Sequence, residues 1–219
     1  VLHVEPAVGP ALLWHFTRRT SKVVRLQQRI RIMQVDRFGA GVLAISGFLS
    51  KDECKRFISL SEETGYEEAS VHTDAGERVF REARNNDRII FDDPSLAHRL
   101  YQRALPYLPS VVDGWQPSGF NERMRYYRYE QQQQFTWHQD GTYRRTEREE
   151  SFLTFLMYLN ENFKGGETAF GWDSIRPKQG MAVVFPHRLR HMGAAVTEGV
   201  KYVLRTDVMY ARPLSPRTE

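Results

Sequence analysis

The chain has 219 residues, of which 41% are hydrophobic, 12% aromatic and 26% charged. These are the proportions of a globular domain with a core of its own, and they exclude disorder, collagen and disulfide-rich scaffolds. A single cysteine, Cys54, rules out an intramolecular disulfide and a cysteine-built zinc site, and suits a reducing, cytoplasmic setting. No stretch approaches the roughly 18 apolar residues of a membrane helix, so no membrane role is expected.

The net charge of +4 is smaller than the six basic residues between Arg18 and Arg31, which have no acidic neighbour among them. Val24, Leu26, Ile30 and Ile32 are interleaved, the pattern of a short amphipathic basic helix that could touch nucleic acid or a membrane surface. We read it instead as a solvated extension, residues 1–38, dispensable to a domain over 39–212. Residues 41–48 form a short apolar strand. Ser50 and Glu53 then make a capping box for a helix ending near Gly65. Residues 70–87 are polar, with a loop at Asp74-Ala75-Gly76. Ile89–Phe91 is a brief strand, and Asp93-Pro94-Ser95 opens a second helix through Leu105, stopped by Pro106. Beyond Gly119 come short apolar or alternating runs at 122–129, 135–140, 152–159, 168–172, 181–186 and 200–210, separated by turns. Strands at this spacing with no helical pattern between them argue for an antiparallel barrel or jelly roll, with the helices packed against it.

His138-Gln139-Asp140 carries the chemistry. On an extended chain residues i and i+2 share a face, so an imidazole and a carboxylate can aim at one point. A third ligand from His187 or His191 would complete a 2-His-1-carboxylate set, which leaves coordination positions open and suits non-haem Fe(II). Lys201 follows His191 by ten residues, where a cation could hold the far end of a dicarboxylate cosubstrate; Arg205, on the same strand face, competes for that role.

With these residues the sequence resembles the Fe(II)/2-oxoglutarate-dependent dioxygenases in their prolyl 4-hydroxylase-like branch. The likeness runs from about Gly41 to Tyr210 and rests on Tyr129, His138-Gln139-Asp140, Met157–Asn160, Gly165–Phe170, Ile175–Gly180, Phe185, His191-Met192-Gly193 and Lys201. It implies a mainly β (α+β) protein: a double-stranded β-helix (jelly-roll) core with N-terminal supporting helices. His138, Asp140 and His191 would be the iron ligands, with Lys201 and Tyr129 on 2-oxoglutarate and His187 on the lip of the site or bonded to a backbone carbonyl. One departure is visible. The turn after Tyr129 usually carries a glycine, and Gln132 stands where that backbone angle would be needed.

The same resemblance implies hydroxylation of an unactivated C–H of a prolyl residue or a small amino-acid-like substrate. Fe(II) would be the cofactor, 2-oxoglutarate and O2 the cosubstrates, succinate and CO2 the products, and ascorbate the reductant. For the substrate, Tyr143 and Arg84 are the candidate residues. Arg123, Arg125, Tyr127, Arg144, Arg145 and Trp172 are further residues able to line the pocket mouth. Two competing readings are a nucleic-acid demethylase of the same chemistry, against which the lysine at ten residues speaks, and a metal-binding jelly roll without oxygenase activity. The oligomeric state is not readable.

Overall fold

A computed structural model describes residues 33–69, 71–73, 76–78 and 84–213. The basic run Arg18–Arg31 lies outside the described residues. In chain order the first half holds β1 (Val35–Arg37), β2 (Leu43–Ile45), α1 (Lys51–Thr64), β3 (Glu67–Glu68), β4 (Val71–Thr73), β5 (Gly76–Arg78), β6 (Asp87–Asp92) and α2 (Pro94–Ala104). Then follow β7 (Gln116–Phe120), β8 (Arg123–Tyr129), β9 (Phe135–His138), β10 (Arg144–Thr146), β11 (Glu149–Tyr158) and β12 (Lys164–Gly165). The last are β13 (Thr168–Phe170), β14 (Ser174–Ile175), β15 (Ala182–Pro186), β16 (His191–Gly193), β17 (Val196–Glu198) and β18 (Lys201–Ala211).

Both helices begin as their caps dictate. Ser50 Oγ accepts from Glu53 N at 3.1 Å while Glu53 Oε2 accepts from Ser50 N at 2.8 Å, and α1 stops at Gly65, whose φ is +84°. Asp93 Oδ1 accepts from Leu96 N at 2.8 Å and Pro94 opens α2, where its missing N–H costs nothing. α2 ends at Ala104, one residue before the expected Leu105. The chain then tightens into a 3-10 turn over Leu105–Tyr107, whose early positions also need no amide from proline.

The main sheet runs β1-β2-β15-β11-β18-β8-β6-β3, with β10 also on β11 and β7 also on β18; its strand pairs are antiparallel. β1 lies within the segment read as 1–38 and pairs with β2 from Val35 to Arg37. A smaller sheet has the order β14-β13-β16-β9. The main sheet is buried on both faces. Leu153, Phe155 and Met157 of β11, with Leu204, Val208 and Tyr210 of β18, meet α1 and α2 through Cys54, Leu96 and Leu100. On the opposite face Tyr127, Tyr129, Tyr158, Val183, Phe185 and Val203 pack with Phe170 of the smaller sheet. This is why Ala182–Phe185 reads as a continuous apolar run and not as an alternation. Phe155, fully buried against Phe48 and Phe120 with centroids at 5.0 and 4.7 Å, is a keystone of the helix side. Truncating such a ring to alanine costs about 3–5 kcal/mol.

Arg144 and Arg145 open a short edge strand, with Tyr143 just before it. β10 pairs with β11, Arg144 Nε donates to Glu150 at 3.0 Å, and Tyr143 N donates to Ser151 Oγ at 2.9 Å. Strands β7, β12, β14, β16 and β17 are too short or too rich in Gly and Pro to show a period of two.

Candidate metal centre

The small sheet brings the two histidines together. β9 and β16 are antiparallel with His138 directly opposite His191, and the ring centroids are 4.2 Å apart. β9 ends at His138 rather than at Asp140. Asp140 N donates to His187 O at 2.9 Å, which holds the carboxylate just beyond the strand. His138 Nε2 lies 3.7 Å from Asp140 Oδ1 and His191 Nε2 lies 3.6 Å from Asp140 Oδ2. Ligand atoms of all three fall within 4.8 Å of one another.

Their protonation suits a cation. Each histidine gives its Nδ1–H to a backbone carbonyl two residues upstream, His138 to Thr136 O at 2.7 Å and His191 to Leu189 O at 2.8 Å. The Nε2 lone pairs are thereby left facing the centre. Burial, then the neighbouring His191, lowers the His138 pKa to about 4, and burial lowers that of His191. Burial alone would raise the Asp140 carboxyl, but the Arg205 guanidinium and then the two imidazoles hold it well below the carboxylate range. At neutral pH the set is two neutral imidazoles and one anion, already in the ionisation state a metal requires. An N,N,O donor set of this kind fits Fe(II).

Both oxygens of Asp140 are clasped from behind. Arg205 Nη1 reaches Oδ1 at 2.9 Å while its Nη2 reaches Asp207 at 3.3 Å. Thr154 Oγ1 donates to Oδ2 at 2.5 Å. Because that hydroxyl proton is committed, Thr154 must accept from His187 Nδ1–H at 2.9 Å. His187 Nε2 then accepts from Ser151 Oγ at 2.9 Å, and Ser151 accepts from Tyr143 N. The chain has one consistent direction and is buried at Ser151, Thr154 and His187. This corrects the sequence reading of His187. Its ring bonds hydroxyls rather than a carbonyl, it is 3% exposed, and it supports a candidate ligand from the second layer.

Lys201 lies in the same pocket as His138, Asp140 and His191, which Tyr129, Val203 and Arg205 also line. It stands opposite Tyr129 across β18 and β8. It is fully enclosed, its Nζ donates to Gly166 O at 2.7 Å, and the ring faces of Tyr129 and Tyr158 lie 4.9 and 5.6 Å away. Burial lowers its pKa to about 8, against a smaller opposing pull from Glu167. Burial also pushes the Tyr129 phenol up to about 12, so it remains a neutral donor. Gly166, with φ at +69°, has no room for a Cβ: Phe163 and the Lys201 stem would stand 3.0 and 3.1 Å from it. Gln132 adopts φ +66°, the left-handed conformation expected of a residue in a glycine's place.

An outer cleft of about 600 Å³ opens over His138 and Asp140, with Arg84, Arg123, Arg125, Tyr127 and Tyr143 on its walls. Arg84 and Tyr143 therefore both lie beside the centre, Arg84 buried and Tyr143 exposed. Arg144 and Arg145 do not; Arg145 pairs with Glu122 and Glu149. Trp172 donates to Phe38 O at 2.9 Å and lines a separate depression with Trp137, Leu189 and Arg190. Among the described residues no helix is long and apolar enough to cross a membrane.

The profile of the 2OG-Fe(II) oxygenase superfamily matches residues 124–206, which include His138, Asp140, His191 and Lys201. None of the curated proteins compared matches the sequence. Among solved structures, the viral collagen prolyl hydroxylase of Paramecium bursaria Chlorella virus-1, in its 2OG complex, is similar at TM-score 0.56 and 20% identity, over 79% of this chain and 97% of that one. A Pseudomonas putida prolyl-4-hydroxylase gives 0.55 and 20%, over 80% and 94%. The Trichoplax adhaerens prolyl hydroxylase bound to a hypoxia-inducible-factor peptide gives 0.58 and 16%, over 77% and 83%. The chain is thus similar to the 2OG-Fe(II) oxygenase superfamily over the stretch that holds the His-Asp-His cluster and Lys201.

Proposed function

We propose that the protein is a 2-oxoglutarate-dependent dioxygenase that hydroxylates an unactivated C–H of a prolyl residue or a small amino-acid-like molecule. The observation that carries this reading is Lys201: an enclosed ammonium with a single hydrogen bond to Gly166 O, in the pocket that holds the His-Asp-His cluster. A metal cluster alone calls for no second buried cation. A dicarboxylate bound to the metal at one end and to the lysine at the other calls for one, since a buried charge needs a partner. The collagen and Pseudomonas hydroxylases to which the chain is similar lend the prolyl reading its support.

In this account His138 Nε2, His191 Nε2 and the Asp140 carboxylate hold Fe(II). Lys201 and the Tyr129 hydroxyl take the distal carboxylate of 2-oxoglutarate. Bound iron with 2-oxoglutarate and O2 supplies the oxidising chemistry, releasing succinate and CO2 as a C–H becomes C–OH, with ascorbate as the reductant that keeps the iron ferrous. Arg205, the rival cation, is committed to Asp140 and Asp207, so its part is to orient the carboxylate. Thr154 fixes the second oxygen. The two sheets facing across Phe170, Phe185 and Tyr158 form the jelly roll. The stretch before Met33 is dispensable to the reaction. The test is succinate release from protein supplied with Fe(II), 2-oxoglutarate, ascorbate and O2. Turnover that is lost in Asp140→Ala and kept when residues 1–32 are removed supports the proposal, and turnover retained by Asp140→Ala refutes it.

A further inference from the structure

The outer cleft contains a cation that the reaction above does not use. Arg84 is 5% exposed, and its guanidinium carbon lies 4.5 Å from the Tyr127 ring centroid and 4.6 Å from that of Phe135. Asn86 Oδ1 accepts from its Nε at 2.7 Å, and Asn86 is itself fully buried and tied to Asp87 O by its Nδ2 at 2.7 Å. Nη2, by contrast, is buried with no hydrogen-bond partner. Two rings and an amide thus hold a guanidinium rigidly at the cleft while one of its donor nitrogens is left unused. An unsatisfied buried donor costs about 1–3 kcal/mol, so its retention asks for a reason.

The surrounding charge points to the occupant. The two carboxylates of the cleft are already answered, Asp140 by Arg205 and Asp207 by both Arg205 and Arg125. Among the described residues no carboxylate pairs with Arg84. Nor is Arg84 the cosubstrate's cation, since the inner pocket around Lys201 does not include it. The Phe135 ring carries the Arg84 guanidinium carbon over it and also stacks on the His138 imidazole, the latter at a centroid distance of 3.5 Å. A single aromatic ring therefore touches both the guanidinium and a candidate iron ligand, and an anion on Arg84 would belong to a molecule only a few bonds long.

We infer that the substrate is a small free carboxylate, of amino-acid size, whose carboxylate is bound by Arg84 while its C–H is presented at the metal. A guanidinium is matched to this task by its planar pair of donor edges, and pre-organisation between two rings reduces the ordering cost of binding. The inference rests on the proposed oxygenase reading and narrows it, favouring a free acid over a prolyl residue inside a peptide, which has no carboxylate at that distance.

The experiment is equilibrium dialysis of the anaerobic protein, loaded with Fe(II) and 2-oxoglutarate, against a mixture of the free L-amino acids and, separately, against their carboxamides. Bound compounds are identified by mass spectrometry. At least tenfold greater retention of one or more acids over the matching amides is expected, and this comparison requires no mutation. In Arg84→Gln the retained acid should bind at least thirtyfold more weakly, with Arg84→Lys recovering part of the loss. Admission of O2 then reads succinate separately: absence of succinate with selective acid binding intact would fault the oxygenase reading and leave the carboxylate site standing. Equal retention of acids and amides, retention of neither, undiminished binding in Arg84→Gln, or turnover driven better by an end-blocked prolyl peptide than by any free acid would each overturn the inference.

Discussion

Lys201 converts the proposed cosubstrate site into a dependence on pH. Burial shifts its pKa from 10.5 to about 8, so folding costs the charged form about 3 kcal/mol relative to the unfolded chain, taking 1.36 kcal/mol per unit, although the amine is still mostly protonated at pH 7. The folded pKa lies below the unfolded one. Between pH 8 and 10 the unfolded chain therefore binds more protons, and stability contributed by this residue rises with pH by as much as about 1.4 kcal/mol per unit. Urea unfolding of wild type and Lys201→Met at pH 7, 8, 9 and 10 isolates the effect, because the lost hydrogen bond to Gly166 is common to every pH. The advantage of the variant over wild type should shrink steadily above pH 8. Affinity for 2-oxoglutarate should show the opposite trend: nearly level below pH 8, about tenfold weaker at pH 9 than at pH 7, and insensitive to pH in Lys201→Met. Parallel stability curves for the two proteins, or 2-oxoglutarate affinity unchanged between pH 7 and 9, would refute the reasoning. Loss of 2-oxoglutarate binding in Arg205→Ala with Lys201→Ala unaffected would assign the cosubstrate to the rival cation.

Two further outcomes follow from the geometry. Thr154→Val removes the donor to Asp140 Oδ2 and strands His187 Nδ1–H, so Fe(II) affinity by titration should fall about 10- to 100-fold while Thr154→Ser stays near wild type. Wild-type iron affinity in the valine variant would contradict the clasp. Gln132→Gly relieves an exposed residue of a left-handed backbone, and should raise the unfolding free energy by about 1 kcal/mol in urea; a loss of stability would show that the Gln132 side chain contributes to the turn.

Much of the centre was legible because strand geometry is periodic. Lys201, Val203 and Arg205 line one pocket as a period of two requires, whereas Asp140 converges with His138 from just beyond the end of β9, where its amide bonds His187 O. The capping signals of Ser50 and Asp93 sufficed for the helix starts, since each cap is a local contest between a side chain and a backbone amide. What remained hidden depends on register. A period of two puts Ser151 and Thr154 on opposite faces, but the pairing of β11 with β18 shifts between Ser151 and Leu153, and this irregularity brings both hydroxyls to His187. The available signal was a pair of hydroxyls in the otherwise apolar run from Ser151 to Leu159. Arg205 stood as a rival to Lys201 because nothing in a linear chain reveals that its guanidinium meets Asp140. Likewise, Phe135 gave no sign that it would bridge Arg84 and His138.

The most direct test is an anaerobic titration of the protein with Fe(II) in the presence of 2-oxoglutarate, monitored in the visible for the metal-to-ligand charge-transfer absorption of a chelated 2-oxo acid. One equivalent of iron per chain should saturate the band, His138→Ala should lack it, and Lys201→Ala should need far more 2-oxoglutarate to reach it at little cost in iron affinity. A wild-type protein that gives no band, or a His138→Ala protein that keeps it, would contradict the assignment of these side chains to a ferrous centre.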